Sequence, residues 1–261
     1  MSTAPLTLER DGELAWLVID RPDKHNALSK AMWEAIPALA AEAEADPAVK
    51  VLLVKGATEK AFSAGADISE FEALNSDRAL RDANRAAITE GLRALTRVSK
   101  PTIAMVRGIC MGGGCAIALT CDVRFASPES RFGIPPAKLG LAYSLEDMKQ
   151  LVDVVGPSHA KSMMFTGRAV PADEALAIGL VNAVHPLDEI EAQVRAFAAQ
   201  ICRNSQYSVR ALKRVIGLIA AGADAETEES WRLVLEAYEG EDYREGVAAF
   251  LAKRPPSFTF S

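Results

Sequence analysis

Short β-type runs alternate with helical patterns through the first half of this chain, and this order limits the possible folds more than any other feature. The runs and the patterns between them cover residues 14–20, 29–45, 49–56, 78–98, 101–108 and 122–126. Because a β–α–β unit takes a right-handed crossover, the order predicts parallel strands in an α/β fold. Alternation within the first run predicts that Leu14, Trp16 and Val18 share one face.

The second half is mostly helical from about residue 144 onward. One short strand signal lies at 180–184, and the segment 186–252 contains helical patterns only. A helical end of this kind often packs against a neighbouring subunit. We therefore predict a core over residues 1–185 and a C-terminal helical oligomerisation region over residues 186–261.

Composition argues against several classes of function. Lys and Arg total 29 against 35 Asp and Glu, and the net charge of −6 argues against a nucleic-acid partner held by phosphate contacts. We expect no membrane partner, because no apolar run approaches the roughly 20 residues of a spanning helix, and the N-terminus does not resemble a signal peptide. The four cysteines and three histidines lack metal-binding spacings, so we predict reduced thiols, a cytoplasmic location and no metal site.

Two glycine-bearing loops are the candidate sites for chemistry. The first is KAFSAGADI, residues 60–68, and the second is GICMGGGCAIAL, residues 108–119. Glycine allows close approach of a backbone to a ligand, and glycines at a helix start leave free N–H groups at the positive end of the helix dipole. Such a place suits an anion or an oxygen that becomes one. The alternative is a pair of tight turns beside the core.

Other glycine motifs fit less well. A dinucleotide-binding fingerprint beginning at Gly112 has Ile117 in its third glycine position. A nucleophile elbow around Ser63 has Ala61 where its first glycine belongs.

The segments AFSAGADI (61–68) and GGGC (112–115) together resemble the enoyl-CoA hydratase/isomerase (crotonase) family. The other segments that carry the resemblance are Arg21-Pro22, Asn26-Ala27-Leu28, Phe132-Gly133, Thr166-Gly167, 178–182 and 243–258. The resemblance implies a ClpP/crotonase-like spiral of ββα turns with a C-terminal all-helical trimerisation region. It also implies a homotrimer or a dimer of trimers.

The resemblance further implies an acyl-CoA thioester as substrate, with coenzyme A as part of that substrate and no separate cofactor. The thioester carbonyl would lie between the backbone amides of Ala66 and Gly113, beside Gly112. The matching substrate-binding positions are Lys24, Ala27, Ala64, Asp67, Ile68 and Pro136, with Phe250 and Lys253 near the CoA site of an adjacent subunit. For Lys24 and Lys253 the alternative is an ordinary solvated lysine.

The sequence departs from the family at the two glutamates that a hydratase uses as acid and base. Ala116 stands in the first of these positions and Pro136 in the second. Neither residue can transfer a proton, and each general acid or base contributes about 10²–10⁴-fold. We therefore expect little hydratase activity.

Tyr143 is our first candidate for a replacement proton donor. The segment 136–143 resembles methylmalonyl-CoA decarboxylases, which have a tyrosine at this position, although Ala66 and Ala116 differ from those enzymes. Loss of CO₂ from a malonyl-type thioester forms an enolate without a base, and a phenol can then donate a proton. The alternative is a pocket-wall aromatic whose hydroxyl bonds to backbone.

Glu146 is the second candidate, as a relocated base that would make the chain a hydratase or an isomerase. Against this, Ser144 and Asp147 have the spacing of a helix cap at the start of a predicted helix over 144–155. A third hypothesis is a non-catalytic acyl-CoA binder.

Overall fold

Two β-sheets surrounded by helices form the computed structural model, which describes residues 5–259. The strands are β1 (Leu6–Asp11), β2 (Leu14–Ile19), β3 (Val51–Gly56), β4 (Ala61–Ser63), β5 (Thr102–Val106), β6 (Ile109–Met111), β7 (Val123–Ala126), β8 (Arg131–Gly133), β9 (Val170–Pro171) and β10 (Ala183–Val184). The α-helices are α1 (Lys30–Ala45), α2 (Phe71–Ser76), α3 (Arg78–Arg97), α4 (Gly113–Thr120), α5 (Leu145–Thr166), α6 (Ala172–Ala177), α7 (Ile190–Cys202), α8 (Gln206–Ala220), α9 (Glu228–Glu239) and α10 (Glu241–Leu251).

From β3 to β8, successive strands alternate between the two sheets. The six-stranded sheet has the order β1-β2-β3-β5-β7-β10, and the four-stranded sheet has the order β4-β6-β8-β9. From β2 onward the strands of the larger sheet are parallel, as the sequence predicts. The pairs β3–β4 and β5–β6 each place one strand in each sheet and are followed by helices, which is the predicted spiral of ββα turns.

Strand β2 separates two hydrophobic clusters. Trp16 and Val18 face one cluster, which includes buried residues of α7, and Leu14 packs against its edge. Leu17 and Ile19 face the main core. The alternation predicted for this strand is confirmed, and it shows how a strand buried on both faces supports helices on both sides of the sheet.

Three elements differ from their predictions. The stretch 57–77, for which the sequence predicts no strand or helix, contains β4 and α2, because three-residue strands and a six-residue helix give little periodicity. The strand signal at 180–184 yields only two paired residues. The helix predicted to end at residue 155 does stop there, since Gly156 has φ +74° ahead of Pro157, but α5 resumes beyond this break.

The C-terminal region is helical, as predicted for 186–252, and large apolar side chains are exposed on its last three helices. The exposed large apolar side chains on α8, α9 and α10 are Leu212, Ile216, Ile219, Trp231, Leu235, Tyr238, Tyr243, Val247, Phe250 and Leu251. Lys213 ties α8 to the core, since its ammonium donates to Asp122 and to the Lys100 carbonyl. Within residues 5–259, no helix has both the length and the apolarity needed to cross a bilayer.

Lys100 is buried, and its substitution tests the packing of α1. Its ammonium donates to the carbonyls of Ala43 and Asp46 at 2.7 and 2.6 Å. Lys100→Met leaves those carbonyls without this donor, so we expect a loss of about 1–3 kcal/mol in the free energy of unfolding and a drop of several degrees in Tm. Thermal unfolding should show this drop, and Lys161→Met on exposed α5 surface should not. Equal Tm values for both variants would contradict the assignment.

Candidate active site

The first glycine loop is held by a short parallel pairing with residues 25–28. The Leu28 amide donates to the Gly65 carbonyl at 2.7 Å, and the Asp67 amide donates to the Leu28 carbonyl at 3.0 Å. Gly65 has φ +99°, and a Cβ there would lie 2.9 Å from the Met111 carbonyl oxygen. The position therefore requires glycine for both its conformation and its space.

This pairing fixes the direction of the Ala66 amide. In a trans peptide the C=O and the N–H point in opposite directions. Since the Gly65 carbonyl points at Leu28, the Ala66 N–H points away from Leu28. Ala66 is exposed, and no group within residues 5–259 accepts a hydrogen bond from its amide.

The second loop directs another amide outward at the start of α4. Gly112 has φ +50° and ψ −118°, and its carbonyl accepts from the Ala116 amide at 3.0 Å. Because Gly113 is the first helical residue, its N–H has no acceptor within its own helix. No other group in the described chain accepts from it.

The two loops touch at their glycines. A Cβ at Gly112 would lie 3.7 Å from the Gly65 Cα, and one at Gly65 would lie 3.5 Å from the Gly112 Cα. The buried Trp33 side chain lies against the next residue, because a Cβ at Gly113 would be only 2.8 Å from Cζ2 of Trp33. The amides of Ala66 and Gly113 therefore each follow one of two contacting glycines, and free amides at such a place suit an oxygen that becomes negative.

The Tyr143 side chain lies beside this contact. Its hydroxyl is 3.9 Å from the position of a Cβ at Gly112, and it has no hydrogen-bond partner within the described residues. Burial raises the pKa of Tyr143 to about 12, with smaller contributions from Cys115 and Asp147. The phenol is therefore protonated at neutral pH, and its hydroxyl is not bonded to backbone, as the alternative interpretation required.

The two positions where a hydratase has glutamate hold Ala116 and Pro136. Ala116 is half-buried against the main core. Pro136 is buried and begins a 3-10 turn over Pro136–Leu139. Neither position presents a group that exchanges protons.

The carboxylates at the start of α5 already have partners. Arg93 on α3 donates to both oxygens of Glu146 at 2.7 and 2.9 Å, which lowers the pKa of Glu146. The Ser144 hydroxyl accepts from the Asp147 amide and donates to the Asp147 carboxylate at 2.6 Å. The capping interpretation of Ser144 and Asp147 thus has the expected geometry, whereas the ion pair makes Glu146 a weaker base. A groove of about 430 Å³ between α3 and α5 includes both acids.

The candidate substrate-binding residues fall into two groups. Around the first loop, Lys24 and Ile68 are exposed. The Ala64 amide donates to the His25 carbonyl, and the Ala27 carbonyl accepts from the Arg21 guanidinium. In the C-terminal helical region, Phe250 is 83% exposed near the end of α10 and Lys253 follows it. These positions do not test whether either group binds substrate, so the binding role stays a prediction.

Several residues that build the first loop were not among the predicted site residues. Asn26, which has φ +58°, is buried and donates to the Ala61 carbonyl at 2.7 Å. Ser63 accepts from the Gly65 amide at 3.2 Å. Glu70 accepts from the Lys30 amide at the start of α1. Asn26 and Ser63 had a signal in the sequence, because they lie in the segments 26–28 and 61–68 that resemble the family.

Comparisons with known proteins agree with this geometry. The sequence profile described as enoyl-CoA hydratase/isomerase matches residues 9–260. A crotonyl-CoA hydratase from Syntrophomonas wolfei is 34% identical over 265 residues, covering 99% of each chain. The crystal structure of an enoyl-CoA hydratase/isomerase family protein from Hyphomonas neptunium has a TM-score of 0.96 at 41% identity, covering 99% of this chain and 98% of that one.

An enoyl-CoA hydratase/carnithine racemase structure from Magnetospirillum magneticum has a TM-score of 0.94 at 33% identity, covering 100% of this chain and 97% of that one. The predicted resemblance and the crotonase fold are thereby confirmed. From its sequence profile, its relatives and its fold, the chain belongs to the enoyl-CoA hydratase/isomerase family of acyl-CoA enzymes.

Proposed function

We propose that this enzyme stabilises a thioester enolate with the Ala66 and Gly113 amides and protonates it from Tyr143. Decarboxylation of a malonyl-type CoA thioester is the reaction that fits these groups best. The observation that carries the proposal is the unpartnered Tyr143 hydroxyl beside Gly112. No separate cofactor is needed, because coenzyme A enters as part of the substrate.

In the proposed reaction the bond between the α-carbon and the carboxylate carbon breaks and CO₂ leaves. The electron pair of that bond moves into the thioester, and its carbonyl oxygen becomes an enolate oxygen between the two amides. Donors of this kind are worth about 3–4 kcal/mol each when aimed at the developing charge. The enolate α-carbon then takes the phenolic proton of Tyr143, and water returns a proton to the phenolate.

Two features support decarboxylation over hydration. Hydration needs an acid and a base to activate water, and Ala116 and Pro136 supply neither. Decarboxylation needs no base, and the Tyr143 phenol, whose pKa burial raises to about 12, can supply the one proton that the enolate takes. The relatives named as hydratases make hydration with Glu146 as the acid or base the alternative, but Arg93 already binds that carboxylate.

We further propose that the enzyme acts as a homotrimer or a dimer of trimers. The apolar surface of α8, α9 and α10 supports this, because a patch of this extent on an isolated chain marks an interaction site. Phe250 and Lys253 would then lie near the CoA site of a neighbouring subunit, and Lys24 near the CoA of its own. A cytoplasmic location remains our expectation from the cysteines, all four of which are free and buried.

Tyr143→Phe tests the proton donor. With methylmalonyl-CoA as substrate, we expect the parent enzyme to release CO₂ and the variant to be slower by about 10²-fold or more, because the proton source is lost while the amides remain. Tyr238→Phe, an exposed tyrosine on α9, is the matched control and should keep the parent rate. An unchanged rate in Tyr143→Phe removes Tyr143 from the chemistry, and binding of acyl-CoA without turnover of any thioester supports a binder.

The absence of glutamate at positions 116 and 136 predicts how the enzyme responds to crotonyl-CoA. The parent should hydrate this substrate at a rate near the uncatalysed one. The double variant Ala116→Glu with Pro136→Glu restores both acid–base positions, and we expect it to exceed the parent by about 10²-fold or more. Loss of absorbance of the enoyl thioester measures the rate. Fast hydration by the parent would contradict the proposal, and Glu146→Gln would then identify the acid or base.

The pKa of Tyr143 predicts a specific alkaline titration. Because the folded protein favours the neutral phenol, subtraction of the Tyr143→Phe titration from that of the parent should show no tyrosinate absorbance below about pH 11, against a normal value near 10. CO₂ release should accordingly show no loss from Tyr143 ionisation between pH 8 and about 10. A difference titration centred near pH 10 would contradict burial of the phenol.

A further inference from the structure

One guanidinium group holds both chain segments that flank the Ala66 amide. Arg21 Nη2 donates to the Asp67 carboxylate at 2.8 Å, and Arg21 Nη1 donates to the Ala27 carbonyl at 2.8 Å. Asp67 directly follows Ala66, and Ala27 directly precedes Leu28, which bonds to Gly65. The planar guanidinium fixes two acceptors in one geometry, so its position constrains the peptides on either side of Ala66.

Further hydrogen bonds prevent the Asp67 carboxylate from moving independently. Its second oxygen accepts from the Ser69 hydroxyl at 2.6 Å and from the Ser69 amide at 3.0 Å. The side chain is 5% exposed, so both oxygens are occupied in a largely dry environment. The hydrogen bond from Ser69, followed by that from Arg21, lowers the pKa of Asp67 to about 2, so the ion pair persists at any pH of use.

The backbone of Arg21 is fixed from the other side. Its amide donates to the Asn26 side-chain oxygen at 2.8 Å, and the Asn26 nitrogen donates to the Ala61 carbonyl at the start of β4. The Arg21 backbone is therefore linked through the Asn26 side chain to strand β4, and this link limits the movement of the guanidinium. The Lys24 ammonium lies 4.0 Å from Asp67 and is 44% exposed, whereas the side-chain donor to the Ala27 carbonyl is Arg21.

We infer that Arg21 is a positioning residue whose ion pair with Asp67 aims the Ala66 amide at the thioester oxygen. The inference rests on the proposed function, because it assumes that this amide donates to the substrate carbonyl. It goes beyond that function by making the polarisation of the carbonyl depend on a side chain that does not touch the substrate.

The test measures carbonyl polarisation directly, without turnover. Acetyl-CoA labelled with ¹³C at the carbonyl is bound to the protein at saturation, and its ¹³C resonance is compared with that of the free thioester. In the parent we expect the carbonyl resonance of the bound thioester to be displaced downfield from that of the free thioester. Most of this displacement should be lost in Arg21→Met, and part of it should be retained in Arg21→Lys. Arg195→Met removes two ion pairs, those of Arg195 with Asp11 and with Glu191, which lie outside both loops, and this variant should keep the parent displacement.

S-acetylpantetheine, labelled in the same way, separates positioning from CoA binding. A positioning role predicts the same loss in Arg21→Met with this truncated thioester, because the nucleotide is absent. A pair that only stabilises the fold would lower Tm in Arg21→Met and Asp67→Asn but leave the bound resonance unchanged. Should Arg21→Met fail to fold, Arg21→Lys and Asp67→Asn supply the same comparison.

The outcomes distinguish the two proposals. A parent displacement that persists in full in Arg21→Met, or in both Arg21→Lys and Asp67→Asn, overturns the positioning role and leaves the proposed function intact. Absence of any displacement in the parent overturns the proposed function, and the positioning role falls with it. Displacement that depends on Arg21 with both thioesters supports the inference.

Discussion

The hydrogen bond from the Leu28 amide to the Gly65 carbonyl is the contact on which the rest of the site depends. A peptide unit is rigid, so an acceptor fixed on one side fixes the donor on the other. The same reasoning applies at the start of α4, where the Gly112 carbonyl accepts a helical hydrogen bond and the Gly113 amide of the same peptide unit points the other way. The site is thus made of backbone whose direction is set by ordinary secondary structure.

The buried Trp33 side chain connects the hydrophobic core to the second glycine loop. Gly91 on α3 lies against Trp33 on α1, since a Cβ there would be 3.1 Å from its Cε3 and from its carbonyl oxygen. The far edge of the same indole supports Gly113. Trp33 is almost completely buried, so a change at the α1–α3 contact would be transmitted through a single rigid ring.

Sequence patterns predicted what depends on local periodicity or on close spacing. The faces of β2 and the Ser144 cap of α5 follow from residues within a few positions of one another, and the structure has both. Strands β4, β6 and β8 are too short to show alternation. The partners of Glu146 and of Asp67 lie 53 and 46 residues away in the chain, and only the fold brings them together. The prediction of Ala66 and Gly113 as site residues comes from the family resemblance and not from periodicity.

Under the proposed reaction, the position of Tyr143 on one side of the Gly112 bend has a stereochemical consequence. An enolate carbon is flat, and its two faces become distinguishable once its oxygen is clamped by the protein. A donor fixed on one side delivers hydrogen to one face alone. A prochiral intermediate formed in heavy water would then give a single mirror-image form of the deuterated product, and the handedness of that label would record where the phenol stands.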